Sequence, residues 1–202
     1  MRFLVSLIVI FYLSPISASH SSDYDTGLES AMSGDFKTAL SIWMPLAKQG
    51  DPYAQNGLGM LYRRGDGVKK DSKEAAKWFQ LSADQGFLMP MYSLGEMYEI
   101  GEGVPLDYKK SFELYSTAAE NGLSDAQTTL GLWYEAGHGG LTQDYKKSIE
   151  WYLLAAEQQD VTAMCRVAYR YEDGLGIQKD EAKAEEYFNA VISLGRECGV
   201  TD

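Results

Sequence analysis

Apolar side chains recur along this chain at spacings of three and four, the mark of one buried helical face, and the whole pattern then repeats. Between Pro52 and Arg64 the apolar positions are Ala54, Leu58, Leu61 and Tyr62. Tyr62 returns as Tyr98, Tyr134 and Tyr171, at intervals of 36, 36 and 37 residues. Three residues before each tyrosine stands Gly59, Gly95, Gly131 or Ala168, and one earlier Leu58, Leu94, Leu130 or Val167. A Gly-x-Gly pair begins three residues after each tyrosine: Gly65/Gly67, Gly101/Gly103, Gly137/Gly139 and Gly174/Gly176. An aspartate follows each pair, Asp71, Asp107, Asp144 or Asp180. One extra residue near Gly140 accounts for the longer interval.

Each unit reads as two helices. Glycine at the tyrosine-minus-three position removes a side chain and lets the partner helix approach. The Gly-x-Gly pair stops the first helix, because a helix C-terminus commonly takes the left-handed conformation. The aspartate caps the second helix by accepting hydrogen bonds from its free amides, and Asp71 with Glu74 fits a capping box. The second helices are expected to bury Ala75/Trp78/Phe79/Ala83, Leu114/Tyr115/Ala118/Ala119, Ile149/Trp151/Tyr152/Ala155/Ala156 and Tyr187/Phe188/Val191, with Trp78 and Trp151 between the paired helices. Gly86, Gly122 and Gly195 close three of the units. The glycine loops lack the Lys-Ser or Lys-Thr of a phosphate cradle, so they are structural turns.

The pattern Ala-x3-Leu-Gly-x2-Tyr-x2-Gly-x-Gly-Val-x2-Asp, intact from Ala54 to Asp71, resembles the Sel1-like repeat, a relative of the tetratricopeptide repeat. That resemblance implies an all-α, right-handed α-solenoid of helix-turn-helix units. Four full repeats span residues 51–86, 87–122, 123–159 and 160–195. Residues 19–50 form an N-terminal cap with a partial leading unit, in which the stretch from Gly34 through Trp43 to Ala47 reads as a second helix. Residues 196–202 form a C-terminal tail. Pro90 and Ala168 depart from the pattern, and Pro90 is tolerable in a first helical turn.

Arg2 followed by the apolar run Phe3–Leu13 and by small residues has the layout of a secretory signal peptide, cleaved after Ala18 or Ser19. The run is shorter than the roughly 20 residues that span a bilayer, and no cysteine follows it to carry a lipid. The mature protein is therefore expected in the periplasm or outside the cell. Export favours a bridge between Cys165 and Cys198, two buried free thiols being the alternative. Cys165 lies on a first helix and Cys198 at the matching face of a truncated fifth unit, so a bridge would pin the tail over the open end.

Hydrophobic residues make up 45% and charged residues 23% of the 202, which excludes a disordered chain. The formal charge of −11, one unit more negative once Arg2 is removed, excludes the clustered cations of a nucleic-acid binder. Two histidines, His20 and His138, without matching ligands offer no zinc site and no triad. Carboxylate pairs in an acidic helical chain read as solvated surface, so neither catalysis nor a cofactor is expected.

A solenoid of helix pairs offers a concave surface lined by its first helices. The outward residues expected there are Tyr53, Met60, Tyr92, Leu132 and Tyr169 as apolar anchors, with Glu96, Glu99, Glu135 and Glu172 around them. Aromatic anchors ringed by charge suit a protein partner. The expected function is an exported, monomeric adaptor. An alternative is an immunity protein that neutralises a secreted antibacterial effector such as a phospholipase. A weaker one is a β-lactamase-like or penicillin-binding repeat protein, whose resemblance is limited because those relatives carry a bridge in nearly every repeat. If the leader is cleaved, mass spectrometry of an envelope fraction should find a chain beginning at Ser19 or His20; a mass retaining residues 1–18 would overturn the export reading.

Overall fold

The computed structural model describes residues 16–199, with side chains from Asp23 onward. The expected leader lies outside the residues whose side chains are described. Among the described residues ten α-helices follow one another with no strand. They are α1 (Ile16–Met32), α2 (Phe36–Lys48), α3 (Pro52–Arg64), α4 (Ser72–Ala83), α5 (Leu88–Ile100), α6 (Tyr108–Glu120), α7 (Ser124–Ala136), α8 (Tyr145–Glu157), α9 (Val161–Asp173) and α10 (Glu181–Ser193). Consecutive helices pack on one another throughout, so the chain is an all-α solenoid of five helix pairs. The partial leading unit is a hairpin of two helices, α1 and α2, joined by the short turn 33–35.

The loop between the helices of a pair closes the same way four times. The amide of Asp71 donates to the carbonyl of Tyr62, and Asp107, Asp144 and Asp180 repeat this with Tyr98, Tyr134 and Tyr171 at 2.8–2.9 Å. The signature tyrosine and aspartate are thus the two ends of one hydrogen-bonded loop. Gly65 makes the reversal, taking φ 83° and donating its amide to Leu61. The four aspartate side chains then cap α4, α6, α8 and α10, as expected. The capping box at Asp71 does not form: the Asp71 amide is already engaged by Tyr62, and Glu74 turns instead to Lys77, 2.8 Å away.

Inside each pair a ring takes the place that glycine leaves. A Cβ on Gly95 would stand 2.7 Å from the ring of Tyr115, and one on Gly59 or Gly131 would meet Phe79 or Tyr152 just as closely. These three rings are at most 1% exposed. Gly27 against Trp43 plays the same part in the leading hairpin. In the last repeat Ala168 fills the slot, and the corresponding Phe188 is half-buried.

The second glycine of each loop works between repeats. Gly67 seats on the backbone of Phe36 and Lys37 at the start of α2, Gly103 on Ser72 and Lys73 at the start of α4, and Gly176 on Tyr145 and Lys146 at the start of α8. Gly139 differs: where the extra residue forms a 3₁₀ turn, His138–Gly140, a Cβ would meet the ring of Trp133 at 2.9 Å and the Tyr108 Cβ at 3.2 Å. Each loop therefore leans on the preceding second helix, and at Gly67, Gly103 and Gly176 a side chain would collide with main chain.

Trp78 and Trp151 are half-buried, contrary to expectation. Each sits one residue before the ring that occupies the glycine slot, and about 100° of helical turn carries it to the side of the pair. There Trp78 packs against the core of α2 and α3, and Trp151 against that of α6 and α7. Leu114, Tyr187 and Phe188 are likewise half-buried, whereas the other expected core positions of the second helices are buried. Trp43 and Trp133 are the buried indoles, at 4% and 3% exposure.

At the C-terminus Cys165 and Cys198 are bridged, with Cα atoms 5.5 Å apart, and the Tyr169 hydroxyl donates to the carbonyl of Gly199 at 3.3 Å. The tail lies against α9 as the sequence suggested. Trp43→Ala or Trp133→Ala should cost about 3–5 kcal/mol of stability in urea unfolding. Trp78→Ala and Trp151→Ala should cost markedly less. Equal losses at all four positions would contradict this division of the core.

Candidate partner-binding face

The first helices α3, α5, α7 and α9 lie side by side and are tied across the repeats. Arg63 of α3 donates from Nη1 to Glu96 of α5 at 2.7 Å, and from Nε to Glu102 in the α5–α6 loop at 2.9 Å. Tyr92 of α5 and Thr129 of α7 share a hydrogen bond of 3.3 Å between their hydroxyls. Arg166 of α9 donates to Glu135 of α7 at 3.0 Å, and Arg170 approaches the same carboxylate at 4.0 Å.

The rings in the glycine slots reach through to this face. Tyr115 Oη donates to Glu99 at 2.8 Å, and Tyr152 Oη to Glu135 at 3.1 Å. Burial and then the bond to a carboxylate push both phenols far above their ordinary range, so they remain donors at any physiological pH. Glu99 also lies 3.2 Å from Nε2 of His138, whose ring is clasped edge-on by Trp133 and Tyr108. His138 thereby fastens the third loop to the second repeat. Glu102 joins three segments, accepting from Arg63, from Ser72 at 2.9 Å, and from Lys70 at 3.3 Å. Burial alone would raise its carboxyl, but these three donors outweigh that and hold it below its ordinary value.

The expected site residues divide accordingly. Glu96, Glu99 and Glu135 sit on the face but are held by neighbours within the chain. Tyr92 is half-buried, with its ring 5.3 Å from that of Tyr115. Leu132 packs against the core of α8 to α10. Tyr169 rests edge-on to Phe188 and is tied to the tail. Glu172 is exposed beside a 720 Å³ cavity that Tyr169, Phe188, Ile192 and Cys198 also line. Tyr53 and Met60 stand out to solvent, 53% and 39% exposed. Tyr53 continues an aromatic row between Tyr24 and Phe87, with centroids 5.5 and 4.7 Å away. Met60 rims a smaller cavity of 220 Å³ with Leu28, Met32 and Arg64. Leu28 and Met32 belong to α1, a helix without the loop signature, so no repeated pattern marks them. The bonds across repeats join side chains about one repeat length apart, as Arg63 and Glu96 do at a separation of 33 residues.

Chemically this face offers apolar contact and charge. Among the described residues no three of His, Cys, Asp and Glu are grouped as metal ligands.

A family model of the Sel1 repeat matches residues 52–87, 91–123, 124–160 and 161–195. The chain belongs to the Sel1 repeat family. Among solved structures, the Sel1 repeat protein from Oxalobacter formigenes is 32% identical with a TM-score of 0.75, over 83% of this chain and 68% of that one. The protective antigen c5321 of uropathogenic Escherichia coli strains, which displays an SLR fold, is 30% identical with a TM-score of 0.80, over 90% of this chain and 39% of that one. A Sel1 repeat protein from Klebsiella pneumoniae, 22% identical with a TM-score of 0.58 over 87% and 86% of the two chains, shares the fold. No curated protein matches the chain. Sel1 repeats are protein-interaction modules in general.

Two changes probe those ties. Tyr115→Phe should lower stability by about 1–2 kcal/mol, since it leaves Glu99 without its closest donor. Glu102 favours the folded state while ionised, so its contribution is complete above its ordinary value of 4.5 and is lost as pH falls through the lower folded value. The melting temperature of the wild type should therefore fall more than that of Glu102→Gln between about pH 5 and about pH 3. Parallel curves would show that Glu102 contributes nothing.

Proposed function

We propose that the protein is an exported adaptor that holds a protein partner on the face lined by α3, α5, α7 and α9, through Tyr53, Met60, Tyr92, Leu132 and Tyr169 with Glu96, Glu99, Glu135 and Glu172. The observation that carries this reading is the exposure of large apolar side chains on neighbouring first helices: Tyr53 at 53%, Met60 at 39% and Met89 at 48%. Natural partners bury such residues as anchors, whereas charges already satisfied within the chain set register and exclude wrong partners. The adaptor role is also what membership of the Sel1 repeat family favours over catalysis. Two features support export. One is the positively charged start followed by Phe3–Leu13. The other is the bridge between Cys165 and Cys198, which suits an oxidising compartment. Among the described residues no helix is long and apolar enough to cross a membrane.

The test is capture from an envelope extract, followed by titration of the captured protein. Tyr53→Ala combined with Met60→Ala should weaken binding by about 2 kcal/mol or more, roughly thirtyfold, with the melting temperature unchanged. A partner held equally well by the double variant would move the site off this face.

A further inference from the structure

The four repeats differ among themselves, and the differences separate what the fold requires from what it does not. In repeats two to four the residue three after the capping aspartate is lysine, and Lys110, Lys147 and Lys183 each lie over the signature tyrosine of their own repeat, 4.5–5.1 Å from the ring centroid. Three residues further on stand Glu113, Glu150 and Glu186. Repeat one reverses this order, with Glu74 and then Lys77, and it alone carries two lysines, Lys69 and Lys70, in its loop before the aspartate. Repeat folding explains none of these exchanges, because Tyr62 and Asp71 close their loop like the others.

Lys69 and Lys77, peculiar to repeat one, gather around one place together with Lys70, a position that is also lysine in repeat four, and Lys73, a position that is also lysine in repeats two and three. A cavity of 680 Å³ opens between α4 and the following repeat, with a floor of Leu81, Leu94, Tyr98 and Val104 and with Lys73 and Lys77 at its edge. A second cavity of 570 Å³, lined by Tyr62, Lys69 and Lys70 among others, joins it at Lys73 and Gly103. Lys70 and Lys77 are paired with Glu102 and Glu74, at 3.3 and 2.8 Å. Lys69 and Lys73 have no carboxylate within ion-pair distance among the described residues. Leu81 is 47% exposed. In a chain of net charge −11 this is an apolar cleft edged by cations, between α4 and the side of α5 that faces it.

We propose that this cleft is a second docking site, which takes an acidic segment of a protein partner bearing apolar side chains. The floor calls for apolar side chains. The lysines select carboxylates between them, and the acidic remainder of the surface repels the same segment and so focuses it here. This inference is independent of the first-helix face.

The probe is a short fluorescein-labelled peptide alternating glutamate and leucine, titrated with the purified protein by fluorescence anisotropy. Binding should weaken as salt is added. Lys69→Glu with Lys73→Glu should weaken it at least about tenfold, as loss of charge complementarity does. Leu81→Asn, which leaves the charge intact, should weaken it about threefold or more, as loss of an apolar anchor does. Lys146→Glu, at the position of repeat three that matches Lys73, and Tyr53→Ala with Met60→Ala should leave it unchanged. Absence of binding by the wild-type protein would overturn the proposal. So would equal affinity for a peptide with serine in place of leucine, or equal loss in Lys146→Glu. Lysine-dependent binding to phosphatidylglycerol vesicles without peptide binding would put a membrane in the cleft and overturn it as well. A first-helix face that fails its own test leaves these outcomes untouched.

Discussion

A methyl group at position 59, 95 or 131 would collide with the ring of Phe79, Tyr115 or Tyr152, and much of the molecule follows from its absence. With the ring against helix backbone, the two helices of a pair sit at one fixed separation. A tyrosine ring placed this way is long enough for its hydroxyl to emerge on the far side of the first helix. There it meets Glu99 or Glu135, and Glu135 also takes up Arg166 from the next repeat. Packing inside one unit therefore sets the hydrogen bonding between units. Repeat one holds Phe79 in the same slot and has no hydroxyl to offer, and its tie to the next repeat comes from Arg63 instead.

The second constraint runs along the array. Each Gly-x-Gly loop is closed by a tyrosine–aspartate backbone bond and leans its second glycine on the preceding second helix. Neighbours alone are joined in this way, which is the condition for stability to build up repeat by repeat. The leading hairpin is joined by the turn 33–35 and, among the described residues, carries no Gly-x-Gly loop.

The fold was legible because its main determinants are periodic. Tyrosine, glycine and aspartate return in register, and each has one physical task in every copy. Finer features escaped for identifiable reasons. Trp78 and Phe79 are adjacent large aromatics, and composition does not say which one enters the slot; the answer depends on about 100° of helical phase. Glu96, Glu99 and Glu135 read as an acidic surround because a single strand of sequence shows no partners, whereas the stacked repeats bring Arg63, Tyr115 and Arg166 to them. The first helix of the leading pair escaped because it lacks the glycine loop that revealed the other four. The cleft beside α4 was hidden for the opposite reason: its lysines stand out only when the repeats are compared with one another.

The bridge from Cys165 to Cys198 encloses the whole of α10, since the two residues lie 33 apart in sequence on either side of it. A linear array ordinarily frays from both ends, each terminal unit having a neighbour on one side only. Here the last helix cannot leave α9 by more than the slack of a covalent loop, so that end is closed to fraying. The hairpin of α1 and α2 is held to its neighbour by noncovalent packing alone. The array is thus unequal along its length: separating α10 from α9 would stop at a covalent loop, whereas separating α2 from α3 would meet side-chain contacts only.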